Sequence, residues 1–322
     1  MPETIGSTRT LASTLLRAAS LSTLILAVSC SSGTRSTTST ATSNGVNYAA
    51  VYQTLTWTNA TVTFPTSCTM KITATGVPPY HDSYYLAPSS SASLTGVVAT
   101  TASGLQLTVT PYSPSSITSS TNTLNICPTN GSSTTATNLG PIGIVLSGEF
   151  LYNAFEATST PALGDNVSYS YTTGGTTYTP AFIDKCNSHP TPITVGYTWH
   201  LHGVPLCLTP TVGAAGTPSH IIGIALDGYP VYGGYDINGN VITTSQLDAC
   251  NGITSATPEF PNGAYHYVLP VGVTTKYSSL NCYTGTVSGT LMAKMDKLGC
   301  RMRNRMTVDP KKEREWMLKM GM

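Results

Sequence analysis

The sequence predicts a mainly β protein whose antiparallel sheets are built around a degenerate two-copy internal repeat and are stapled by disulfides. Three observations support this prediction. Thr and Tyr, which favour pleated and half-buried surfaces, are abundant, and 29 Gly and 21 Pro supply many turns. Long helical patterns of Leu, Ala, Glu and Lys are missing between residues 46 and 290. Pairs of similar motifs also recur along the chain in the same order.

The repeat consists of three motif pairs. The segments 143–148 and 223–228 lie 80 residues apart, 184–187 and 248–251 lie 64 apart, and the histidine segments 199–202 and 265–268 lie 66 apart. Such unequal offsets exclude a solenoid. We predict instead a first copy over residues 141–210 and a second over 211–290, with histidine strands that meet across a pseudo-two-fold axis.

The strands are predicted from local patterns. Residues 51–57 and 61–64 alternate at period two and are cut by turn residues, as strands of an N-terminal β part over 46–140 would be. Two prolines after Gly76 place His81 in a turn. The Gly-Ile segments of the repeat are predicted to be buried strands that end in tight turns at glycine.

The N-terminus predicts export to the cell envelope or the extracellular space. An apolar run and a small-residue exit form a secretory signal peptide over residues 1–29. Cys30 then stands where a bacterial lipoprotein carries its lipid, although Ala27 replaces the usual Leu, so a lipid anchor and ordinary cleavage both remain open. The Ser/Thr-rich residues 30–45 would serve as a flexible linker. No later stretch reaches the roughly 18 apolar residues of a membrane span.

Charge is distributed unevenly. Residues 46–290 contain three basic and nine acidic side chains, which excludes nucleic acid as a partner because few phosphate counterions could be released. Residues 291–322 form a Met-rich tail with nine basic and four acidic residues, predicted to end in a short charged C-terminal helix after Asp309-Pro310. The alternatives for this tail are a contact with acidic lipid or a partner, and a reading-frame artefact.

Eight cysteines in an exported chain predict disulfides. The expected local pairs are Cys68–Cys127, Cys186–Cys207 and Cys250–Cys282, with Cys300 left in the tail. Connectivity is not determined by sequence alone. The pairing is favoured because each of the two later loops would enclose one histidine segment, and such a bridge contributes a few kcal/mol.

The histidine segments predict a metal site. In a strand, His200 and His202 project from one face about 6 to 7 Å apart. If the two copies face each other, His266 approaches the same point, and three imidazoles suit a transition-metal ion such as Cu or Zn. Additional or outer ligands are expected among His81, His189, His220, Asp184, Asp227 and Asp248. The alternative is a polar core in which these histidines are satisfied by hydrogen bonds.

Several motifs resemble the YHYH domain family. They are residues 220–233 (HIIGIALDGYPVYG), 247–252 (LDACNG) and 265–267 (YHY), with 76–81 (GVPPYH), 184–189 (DKCNSH), 199–202 (WHLH) and 205–208 (PLCL) upstream. The resemblance covers about residues 46–290 and implies an exported domain whose biochemical role is unassigned. The chain departs from the family pattern at Trp199, Leu201, Ile253 and Val268, so a symmetric four-histidine site is excluded.

We therefore expect a non-enzymatic binding module with a transition-metal site. One alternative is a structural or adhesive surface protein that can polymerise through its strands. Another is a metal-dependent envelope hydrolase or oxidoreductase with an open coordination position. The expected partners are a membrane, through a lipid on Cys30, and a second copy or another envelope protein.

Overall fold

A computed structural model describes thirteen ranges of the chain. They are residues 45–80, 98–100, 106–108, 117–156, 160–166, 168, 170–173, 175–178, 181, 183–190, 198–208, 211–289 and 291. The predicted signal peptide, Cys30, His81 and nearly all of the linker and basic tail lie outside these ranges. Within them, no helix is long and apolar enough to cross a membrane.

The prediction of a mainly β fold is confirmed, because most elements are strands. Four small sheets are built from β1 (Ala60–Thr66), β2 (Thr69–Ala74) and β5 (Ser120–Asn125), from β3 (Val98–Thr100) and β4 (Gln106–Thr108), from β9 (Tyr171–Thr173) and β10 (Thr176–Tyr178), and from β6 (Asn130–Ala136) and β17 (Cys282–Gly285). The described residues also form helix α1 (Tyr48–Tyr52) and 3-10 turns at Thr244–Gln246 and Lys276–Ser278.

An eight-stranded sheet forms the centre of the protein. Its strands are β7 (Pro141–Val145), β8 (Phe150–Tyr152), β11 (Ser188–Pro190), β12 (Trp199–Leu201), β13 (Ile221–Ala225), β14 (Pro230–Tyr232), β15 (Gly252–Ser255) and β16 (Ala264–Val268), in the order β11-β12-β8-β7-β13-β14-β16-β15. The two central strands are buried at every residue. Their side chains join those of β2, β5 and α1 in one apolar core.

The large sheet is mixed rather than purely antiparallel. β12 pairs with β8, and β14 with β16, in parallel, whereas its other five pairings are antiparallel. The chain leaves β8 at Tyr152 and returns at Trp199, and a parallel pair requires such a long crossover connection. Counted outward from the central pair, the three strand pairings of each half are therefore antiparallel, parallel and antiparallel.

One predicted strand is wrong. Residues 51–57 alternate in polarity, but Val51 and Tyr52 complete helix α1 instead. The Asn47 side chain caps this helix by accepting the Ala50 N–H at 3.0 Å. Helical spacing brings the rings of Tyr48 and Tyr52 to 6.3 Å between centroids, and both side chains are buried.

The tight turns predicted after the Gly-Ile strands are present. Gly148 and Gly228 adopt φ values of +83° and +90°, which glycine reaches without strain. A Cβ on Gly228 would also clash with the backbone oxygen of Asn125. This glycine therefore lets the turn after β13 pack directly against the end of β5.

The structure contains the three predicted disulfides. Cys68–Cys127 joins the β1–β2 turn to the end of β5, over a sequence separation of 59. Cys186–Cys207 closes a loop that carries β11 and β12, and Cys250–Cys282 closes the loop that carries β15 and β16. Each half of the large sheet thus has one disulfide that closes the loop containing its two outer strands.

Candidate metal centre

Four ligand-type side chains converge at one end of the large sheet. His189 lies on β11 directly opposite His200 on the neighbouring strand β12. His202 follows two residues later and therefore projects from the same face as His200. Glu156 comes from the segment that follows β8, the next strand of the sheet. Three segments that are distant in sequence thus meet because β11, β12 and β8 are adjacent.

The ligand atoms of this group are close together. Oε1 of Glu156 lies 2.7 Å from Nε2 of His189, 2.7 Å from Nε2 of His202 and 3.5 Å from Nε2 of His200. Nε2 of His202 lies 3.1 Å from the Nε2 atoms of both His189 and His200. All four ligand atoms lie within 4.8 Å of one another. One ion can therefore contact all of them.

Backbone carbonyls determine which ring nitrogens carry protons. Nδ1 of His202 lies 2.7 Å from the Asn153 carbonyl oxygen, and Nδ1 of His200 lies 3.1 Å from that of Thr198. A carbonyl oxygen only accepts, so both Nδ1 atoms donate. A neutral imidazole has only one N–H, and each Nε2 therefore presents a lone pair. These lone pairs face each other and the Glu156 carboxylate.

The group is almost completely buried. The histidine side chains are at most 2% exposed and that of Glu156 is 10% exposed. Burial lowers the pKa of His200 to about 3 and also lowers the pKa of His189. Burial alone would raise the pKa of Glu156, but the nearby His189 and the close contacts with the three histidine rings hold it well below its usual value. Neutral imidazoles and an ionised carboxylate are the forms that bind metals.

Two residues outside the group contact its histidines. The ring of Tyr152 stacks on His200, with 3.9 Å between ring centroids. The Ser278 hydroxyl donates to the carbonyl oxygen of His202 at 2.8 Å. Such outer contacts fix ring orientation and keep a metal site in shape.

His266 does not belong to this group, which corrects the predicted third ligand. Its strand β16 lies five positions from β12 in the sheet, or about 24 Å at normal strand spacing. The ring instead packs against Tyr232, and its Nδ1 donates to the Ala264 carbonyl at 2.9 Å. The two halves meet through β7 and β13, and this strand order places the histidine strands β12 and β16 near opposite edges of the sheet.

Of the other predicted ligands described by the structure, His189 joins the group and the rest make other contacts. His220 pairs with Glu259 at 2.8 Å and is half exposed. Asp184 and Asp248 form turns, because each accepts the N–H groups two and four residues ahead. Asp227 is buried and accepts the Tyr267 hydroxyl at 2.6 Å.

Glu156 was not predicted from the sequence. The signal was nonetheless present, since Glu156 precedes Asp236 by 80 residues, the same offset that separates the two Gly-Ile motifs. An acidic residue therefore stands at equivalent positions after β8 and β14. The carboxylate was missed because it lies 33 residues from the nearest ligand histidine.

The fold and site define a class of protein: a disulfide-bonded, mainly β domain with a buried carboxylate and three histidines that can hold a metal ion. A family model described as YHYH protein matches residues 121–240 and 236–285, which together span 165 of the 322 residues. The chain therefore belongs to the YHYH family, as its motifs predicted, and all four ligand residues lie in the matched region. Comparisons with curated proteins and with solved structures gave no match.

Proposed function

We propose that this YHYH protein is an exported, non-enzymatic module that binds one transition-metal ion through Glu156, His189, His200 and His202. The observation that carries the proposal is the inward direction of the lone pairs. In the neutral state Nε2 of His200 and Nε2 of His202 are both acceptors only 3.1 Å apart, and they face a carboxylate oxygen. A cation between them turns this repulsion into attraction.

A polar core is the weaker explanation for the same residues. Buried polar groups are normally paired as donor with acceptor. Here the backbone carbonyls of Asn153 and Thr198 occupy the donors of His202 and His200, so no donor remains on these two rings for the central contact.

The number of protein ligands favours binding over catalysis. Catalytic zinc sites typically use three protein ligands and leave a fourth position for water or substrate. Four side chains converge here, and the histidines are almost inaccessible to solvent. We propose that the ion holds β11, β12 and the segment after β8 together, and that it performs no turnover.

Metal content and titration test this function. Protein purified from its native host should contain one transition-metal ion per chain by elemental analysis. His202→Ala and His200→Gln should weaken binding by more than the roughly 10- to 100-fold typical of losing an outer contact. His220→Ala is the matched control and should bind as the wild type does, because His220 is half exposed and pairs with Glu259. Wild-type protein that is folded and fails to bind Zn2+, Cu2+ or Co2+ would contradict the proposal.

We further propose export with cleavage before Cys30, a linker to residue 45, a domain over residues 46–290 and a tail over 291–322. Three disulfides support this, because they form and persist in oxidising compartments. The cysteine would carry a lipid that attaches the protein to a membrane. Intact-mass analysis of native protein should give a chain that starts at residue 30, and a chain that retains residues 1–29 would contradict export.

A further inference from the structure

The geometry points to a four-coordinate, tetrahedral metal centre whose natural ion is Zn2+. This inference rests on the metal-binding function proposed above and adds the coordination geometry and the identity of the ion. It depends on five of the six distances between the ligand atoms of Glu156, His189, His200 and His202. These distances range from 2.7 to 3.5 Å.

A tetrahedral ion keeps all six distances similar. Metal–ligand bonds of about 2.0 to 2.1 Å place every pair of tetrahedral ligand atoms about 3.3 Å apart. The five distances lie within about 0.6 Å of this value, and the sixth, between the His189 and His200 nitrogens, is at most 4.8 Å. Binding would therefore require shifts of about 0.6 Å or less at five of the contacts and of at most about 1.5 Å at the sixth.

A square-planar ion requires a different pattern, in which two opposite pairs lie about 4.1 Å apart, twice the bond length. The four ligands can be divided into opposite pairs in three ways. Each division includes a pair at 3.1 Å or less: His202 with Glu156 at 2.7 Å, His202 with His189 at 3.1 Å, or Glu156 with His189 at 2.7 Å. No assignment of opposite pairs fits, so the tetragonal geometry that Cu2+ and Ni2+ prefer is disfavoured.

An octahedral ion also fits the site poorly. Four octahedral ligands always include one opposite pair, and only His189 with His200 could be that pair. The ion would then need two further ligands, such as water, beside histidine side chains that are at most 2% exposed. Zn2+ has no geometric preference of its own and is stable with four nitrogen and oxygen ligands.

The protein also resists a change of this geometry. His189 and His200 face each other across an antiparallel pair, and Cys186–Cys207 closes the loop that carries them with His202. Nδ1 of His202 is fixed on Asn153, which belongs to the same segment as Glu156. Flattening the site would have to act against the β11–β12 pairing and the hydrogen bond from His202 to the Asn153 carbonyl.

Cobalt spectroscopy tests the inference on the disulfide-bonded, exported protein. Co2+ exchanged into the site should give the intense visible d–d bands of tetrahedral cobalt, with a stoichiometry of one. Glu156→Gln, which removes the charge, should alter these bands, and the His220→Ala control should retain them. Weak bands typical of octahedral cobalt would overturn the inference and leave metal binding intact.

Two further outcomes complete the test. Zinc in protein from the native host is the expected result, and stoichiometric copper there would overturn the identity of the ion. Folded protein that takes up no Co2+ and no Zn2+ would overturn the proposed function, and this inference with it. Unchanged circular dichroism of each variant shows that a lost signal reflects the site and not unfolding.

Discussion

Ile144 lies directly opposite Ile224 where the central strands β7 and β13 pair antiparallel. On either side, Gly143 faces Ala225 and Val145 faces Gly223. Adding 80 to the numbers 143, 144 and 145 gives 223, 224 and 225, which are their partners on β13 taken in reverse order. The pair Gly143–Ala225 is thus equivalent to the pair Val145–Gly223. An approximate two-fold axis at Ile144 and Ile224 would relate the two halves of the sheet.

The same correspondence extends outward to the site. Leu201 pairs with Leu151 in the first half as Tyr267 pairs with Val231 in the second. Farther out, His189 faces His200 as Ile253 faces His266. The positions that correspond to Glu156, His189, His200 and His202 are therefore Asp236, Ile253, His266 and Val268.

His266 keeps the surroundings of a ligand without the other ligands. Its Nδ1 donates to a carbonyl two residues back, as that of His200 does, and its ring contacts Tyr232, which corresponds to Tyr152. Isoleucine and valine occupy the other two histidine positions. The asymmetry of the site thus comes from side chains and not from the backbone.

The first prediction is that Ile253→His together with Val268→His creates a second metal site. The backbone should direct both new imidazoles towards His266, as it directs His189 and His202 towards His200. Titration with Zn2+ should then give two ions per chain instead of one. Either single substitution alone is the control and should leave the stoichiometry at one. A folded double variant that still binds one ion would refute the equivalence.

The second prediction concerns stability. An ion that binds only the folded chain stabilises it by about 2.7 kcal/mol when its free concentration is 100 times the Kd. Thermal unfolding should therefore shift to lower temperature when a chelator removes the ion. His202→Ala should unfold at the same temperature with and without chelator. Identical wild-type curves under the two conditions would speak against an ion that holds the three segments together.

The sequence predicted the two central strands and two of the disulfide-bonded loops because the signals for them are local. The Gly-Ile motifs at Gly143 and Gly223 identify buried strands that end in glycine turns, and repeated Asp-x-Cys-Asn motifs locate two of the disulfide-bonded loops. His200 and His202 could be assigned to one face because the period of a strand fixes it. Each of these predictions needs only neighbouring residues.

The remaining features depend on strand order, which the sequence does not state. The repeat predicted two similar halves, but it did not say that β7 and β13 would be the strands in contact. With the histidine strands in contact instead, His266 would have faced His200. Glu156 becomes a ligand only because β8 lies beside β12 in the sheet. Its position could be recognised only by comparison with Asp236.

The third prediction is that Cys186–Cys207 supports the metal site. This disulfide closes the loop that contains the three ligand histidines, over a sequence separation of 21. Replacing both cysteines by serine should weaken Zn2+ binding at least about tenfold, the lower end of effects from lost outer support. The matched control is the double serine variant of Cys68–Cys127, which joins a different sheet. Equal effects of the two variants on Zn2+ affinity would contradict a specific role.

The fourth prediction concerns pH and the buried Glu149, whose pKa is raised by burial from its usual 4.5 to about 8, against the hydrogen bond from Ser147. Between these two pH values the unfolded chain loses this proton and the folded chain retains it. The free energy of unfolding should therefore fall as pH rises through the window, by up to about 1.4 kcal/mol per pH unit from this group.

Glu149→Gln should remove this contribution, because glutamine resembles the protonated acid and its oxygen can still accept the Ser147 hydroxyl, now at 2.7 Å from Glu149. Chemical denaturation in the presence of chelator, from pH 5 to 8, should show the variant gaining stability relative to the wild type as pH rises. Asp236→Asn is the control. Burial slightly opposes ionisation of Asp236, but hydrogen bonds from Asn240 and Asn238 lower its pKa, so it stays ionised and its difference from wild type should be flat. A flat difference for Glu149→Gln as well would mean that Glu149 is already ionised in the folded protein at pH 5.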